Sequence, residues 1–101
     1  MYVQISFMRQ SIVIIQSVFM KDEEIIKDLL RNFYRHKAWG KHHFREDTIV
    51  KGFPSHLRKN VIRAAEELRK RGFLIRFPTN HGVQWYANIE KLKEIEEIIK
   101  E

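Results

Sequence analysis

The 101 residues include 19 Lys/Arg, 13 Asp/Glu and five His, for a formal net charge of +6, with 44% hydrophobic residues. That balance predicts one globular domain with a modest core and excludes a disordered or bilayer-spanning chain. Cysteine is absent, which rules out disulfides and thiolate chemistry and suits an intracellular, cytoplasmic protein.

Residues 1–20 differ from everything after them. Val3, Ile5 and Phe7 alternate with Gln4 and Ser6, and Ile12 to Ile15 form a short apolar run, a β pattern. Arg9, Gln10 and Gln16 interrupt the stretch, so it fits neither a signal peptide nor a membrane span. Two readings stand: a strand that pairs within a dimer, or an extension upstream of a natural start at Met20. The domain proper is expected over residues 21–101.

From Asp22 the periodicity is helical. Ile25, Ile26, Leu29, Leu30 and Phe33 recur at three- and four-residue spacing, behind Asp22, Glu23 and Glu24 in the first turn. The spacing predicts a helix to about His36, then a basic loop with one short strand at His43 to Arg45. Asp47 is expected to cap a short second helix that Gly52 and Pro54 end. Ser55 is expected to cap a third helix running to Arg71, with Gly72 as its stop. Its core arc would be Leu57, Val61, Ala64, Ala65 and Leu68. "FLIRF", "PTNHG" and "VQWYA" then predict a β-hairpin. Asn88 should cap a last helix whose stripe is Ile89, Leu92, Ile95, Ile98 and Ile99. That stripe would cover the domain's own core or form a dimer seam. Ile62 lies off the core arc of the third helix and is expected to be exposed.

Charge is unevenly placed. Residues 31–86 hold 13 Lys/Arg against four Asp/Glu, while residues 21–30 and 87–101 are each slightly acidic. A polyanionic partner explains such a map better than a generally basic surface does. The third helix concentrates the effect: Lys59, Arg63, Glu66 and Lys70 lie opposite its core arc. His56 and Asn60 flank them on one side, Arg58 and Arg69 on the other. Acids enter only in its second half, so cations crowd the end where the helix dipole is already positive. Ser55 and the N–H groups at the helix start would suit a phosphate.

The order of helix, short helix, turn, helix, hairpin and helix, with the Gly52–Pro54 turn and "RGFLIRFPTNHGVQWYA" as strand–turn–strand, resembles the winged-helix family, in particular its small single-domain archaeal members. The resemblance covers about residues 22–99; its one departure is the long basic loop at 37–45. It implies an α+β, mainly helical fold: a three-helix core, a β-hairpin wing and a C-terminal helix. It also implies double-stranded DNA binding by a transcriptional regulator, with the third helix in the major groove. Base readout would come from His56, Lys59, Asn60 and Arg63, and phosphate contacts from Lys51, Ser55, Arg58 and Lys70. At the wing, Arg76, Asn80 and His81 would lie near the tip, with Gln84 facing away from Trp85. Asn80 and Gly82 are also simply the residues a tight turn needs. Trp85, Phe73, Ile75 and Phe77 read as core rather than as base-stacking platforms.

Other chemistries find little footing. The five His lack metal-ligand spacing and converge with no Cys. No paired carboxylates, triad or glycine-rich phosphate loop marks an enzyme, and no cofactor is expected. "AWGKHHFR" (38–45), with Trp39, Lys41 and Arg45, is a candidate second backbone-contacting surface, although Trp39 tucked onto the core reads equally well. A protein-interaction role through Ile62 and the last helix, or RNA binding by the same basic face, are the alternative functions.

Overall fold

A computed structural model describes residues 22–100; the β-prone segment at 1–20 lies outside them. The described residues form four α-helices and a small antiparallel sheet. In chain order these are α1 (Asp22–Arg35), β1 (Phe44–Arg45), α2 (Glu46–Lys51), a 3-10 turn (Ser55–Leu57), α3 (Arg58–Lys70), β2 (Leu74–Thr79), β3 (Gly82–Ala87), a 3-10 turn (Ile89–Lys91) and α4 (Leu92–Lys100). The sheet order is β1-β3-β2.

The apolar stripes go where their spacing sends them. Ile25, Leu29, Leu30 and Phe33 of α1 are buried against Val61, Ala64, Ala65 and Leu68 of α3, with Leu57 from the preceding turn. Ile95 of α4 is buried beside them, and Leu92, Ile98 and Ile99 pack half-buried on the same core. The stripe of α4 therefore packs on the domain's own core, fully at Ile95 and partly at Leu92, Ile98 and Ile99. Only Ile89, 60% accessible, remains an exposed large apolar side chain among the described residues. Ile62 is half-buried, not exposed, because α3 is covered over an arc wider than its core stripe.

The sheet has two faces set by its register. Phe44 pairs with Trp85, and Trp85 with Arg76, so these three share the face toward the helices. Trp85 is fully buried, and Phe44 meets Phe33 edge to face at 5.0 Å. Gln84 and Tyr86 alternate to the outer face with Ile75 and Phe77. The first strand begins one residue later than expected, since the His43 ring packs outward against Phe77 and Tyr86 at 4.9 and 5.1 Å. The 37–45 loop is anchored at buried Ala38, whose carbonyl accepts from Ala87 N at 2.7 Å.

Two expected caps are replaced by other devices. Asp47 lies inside the first turn of α2 and caps nothing; it pairs with Arg45 at 3.4 Å. Ser55 caps no α-helix either. Pro54, extended at φ −56° and ψ 145°, starts a 3-10 turn in which Leu57 N donates to Pro54 O. A tight i→i+3 turn joins its own N–H groups early, so the hydroxyl has no capping partner to serve. Asn88 does cap: its side chain accepts from Glu90 N at 3.1 Å and donates to Gly72 O at 2.9 Å. Gly72 ends α3 at φ +83°, the left-handed position that favours glycine.

Candidate nucleic-acid interface

Phe53 and Leu57 are buried pins that hold the 52–57 turn on the core and aim the start of α3 outward. Arg58, Lys59 and Arg63 of α3 are exposed, as are Ser55 and His56 in the turn before it. Asn60 is half-buried. Lys51, at the end of α2, and Lys70, at the end of α3, extend the surface at its edges. The first turn of α3 carries no acid, so Arg58 and Lys59 face an already positive dipole end. Of the N–H groups expected to meet a phosphate, Leu57 N and Arg58 N are already used, donating to Pro54 O and Ser55 O.

Pairing separates two classes of cation. Arg69 donates to Glu66 at 2.9 Å, Arg71 sits 3.4 Å from Glu67, and Arg45 sits 3.4 Å from Asp47. By contrast Lys51, Arg58, Lys59, Arg63 and Lys70 make no ion pair with any described residue. Among the described residues, no acid meets these five positive charges. An exposed ion pair stabilises a fold by at most about 1 kcal/mol, so their lack of partners costs the domain little. It leaves the field at the α3 start undiminished.

The hairpin is a tighter structure than "PTNHG" suggests. Pro78 and Thr79 belong to β2, leaving Asn80 and His81 as the exposed two-residue tip. Thr79 Oγ1 accepts from His81 N at 3.1 Å and donates to Gly82 O at 2.7 Å, closing the turn. Gly82 alone supplies a positive φ, +108°; Asn80 is not needed for one.

Arg76 is not near the tip. It sits mid-strand opposite Trp85, with its Nε 3.9 Å from Glu46 and 3.8 Å from Glu66. Glu46 in turn accepts from the Trp85 indole N–H at 3.0 Å. This bridge from α2 through the sheet to α3 was not legible in the sequence: Glu46 and Trp85 are 39 residues apart, and no local spacing marks the pair.

The outer sheet face also departs from expectation. Phe73 and Trp85 join the core. Ile75 and Phe77, expected in the core, instead line an open trough of about 610 Å³ with His43, Tyr86 and Ile89. Alternation explains it, since Ile75 and Phe77 cannot share the face taken by Leu74 and Arg76. Trp39 packs half-buried on the core, 5.8 Å from Tyr34. With Arg45 paired to Asp47, the 38–45 stretch keeps Lys41, His42 and His43 as its exposed polar side chains without an ion pair among the described residues. No group of three or more His, Asp or Glu gathers in a metal-holding arrangement among the described residues. No described helix is long and apolar enough to cross a membrane.

Comparison with protein-family models, with curated proteins and with solved structures finds no match to this chain.

Proposed function

We propose that this chain is a winged-helix domain that binds double-stranded DNA as a transcriptional regulator, with α3 in the major groove and the β2–β3 hairpin as the wing. The observation that carries it is the run of cations, Arg58, Lys59 and Arg63, with no ion pair among the described residues, at the exposed start of a helix anchored by Phe53 and Leu57. A groove-wide helix whose N-terminal residues point outward is what base readout requires. Lys59, Arg63, His56 and Asn60 are the candidates for base edges. Lys51, Ser55, Arg58 and Lys70 are the candidates for phosphates, and Asn80 and His81 touch DNA at the wing tip. Element order and the β1-β3-β2 sheet suit the same architecture.

A protein-interaction role is favoured less, because Ile62 is half-buried and Ile95 of the α4 stripe is buried, with Leu92, Ile98 and Ile99 half-buried on the same core. Selection from random duplex pools, followed by titration of the selected site, tests the proposal. Arg63→Ala should weaken binding to that site by about 1–3 kcal/mol. Preference for structured RNA over duplex would transfer the basic face to RNA, and no duplex binding at low salt would end the DNA reading.

A further inference from the structure

The second half of α3 raises a problem for any polyanion lying along it. Glu66 is on the exposed side of the helix, and Glu46 stands at the start of α2 beside the same hairpin. Two carboxylates so placed would repel phosphates, and like charges juxtaposed across an interface are costly. Both are met by arginine. Glu66 Oε2 takes Arg69 at 2.8 Å from Nη2 and 2.9 Å from Nε. Its other oxygen lies 3.8 Å from Arg76 Nε, and Glu46 Oε1 lies 3.9 Å from that same nitrogen. Arg76 is thus the one side chain shared by the two acids. It projects from the middle of β2, and the neighbouring strand sends the Trp85 indole N–H to Glu46.

We infer that Arg76 is a positioning residue: it holds the hairpin between α2 and α3 through Glu46 and Glu66, and screens both carboxylates from a bound phosphate backbone. The inference rests on the proposed duplex binding. It makes Arg76 a basic residue that serves the interface without touching DNA. Removing it leaves Glu46 without an ion pair among the described residues and Glu66 with Arg69 alone, and loosens the strand that sets the wing's angle to α3.

A mutant cycle separates this role from direct contact. Arg76→Gln should weaken duplex binding several-fold, up to about tenfold, the effect of unscreening Glu46 and half-unscreening Glu66 near the backbone. In the Glu46→Gln/Glu66→Gln background, where the amide oxygen at 46 still accepts from Trp85, the same change should cost less than about twofold. Arg76→Lys, which keeps the charge, should recover most of the loss. Equal losses in both backgrounds would mean that Arg76 contacts DNA directly, and no loss in either would mean that screening is irrelevant; each overturns the inference. A second measurement needs no DNA: Arg76→Gln should speed solvent exchange of the Trp85 indole proton several-fold. Unchanged exchange overturns the positioning role, whereas a chain that binds no duplex but shows faster exchange refutes only the proposed function.

Discussion

At the residue scale, Trp85 does the most. It is fully buried, and its one polar atom is satisfied by Glu46, so the large ring can fill the centre without an orphaned donor. Trp85→Ala should therefore lower stability by about 3–5 kcal/mol, read as a fall in the urea midpoint at unchanged slope. Tyr34 offers a pH-dependent counterpart. Partial burial, then the Glu96 carboxylate that accepts its hydroxyl proton, raise its pKa above 10.0. A raised folded-state pKa means that this contribution to stability is intact below pH 10.0 and is lost as pH climbs through the higher folded value. An ultraviolet titration should show a late phenolate. Glu96→Gln should bring it only part of the way back, since burial, the first cause, is left in place. That Trp85 would be core was legible from its place in an alternating strand. That Glu46 would be its partner was not, because hydrogen bonds between distant segments leave no periodic trace.

At the element scale, the helices were legible where an apolar period of 3.6 residues had a core to face. The stripes of α1, α3 and α4 appear in the structure with nearly the expected members. Starts were less legible. A Pro followed by Ser reads as a capped helix, but Pro54 enters a 3-10 turn and the α-helix begins only at Arg58. The two-residue β1 is too short to show alternation at all. Gly72 is a stop that sequence and structure agree on. A methyl group there would meet nothing closer than Lys91 Cε at 3.8 Å, so space is no obstacle and the left-handed φ is. Gly72→Ala should cost about 1–2 kcal/mol, measured as a drop in unfolding free energy with the fold retained by circular dichroism. Leaving Gly40 or Gly82 intact in the same chain isolates the effect to the α3 terminus.

At the scale of the whole molecule, the sequence located the positive charge but not its neutralisation. The cations on α3 look alike along the chain. The fold pairs Arg69, Arg71 and Arg76, while Arg58, Lys59 and Arg63 have no ion pair among the described residues. Within residues 31–86, the cations without an ion pair among the described residues thereby fall into two groups, one at the start of α3 with Lys51 and Lys70 on its flanks, the other at Arg35, Lys37 and Lys41. A duplex bound at the α3 group would release counterions in proportion to the phosphates neutralised. The most direct measurement is the salt dependence of duplex affinity, for the wild-type chain and for Arg58→Ala/Lys59→Ala/Arg63→Ala. Log affinity should fall linearly with log salt, with a slope of about three to six, and the triple variant should flatten that slope by at least about one, the share of the Arg58 phosphate contact. A salt-independent affinity, or a triple variant whose slope matches the wild type, would contradict a DNA interface at the start of α3.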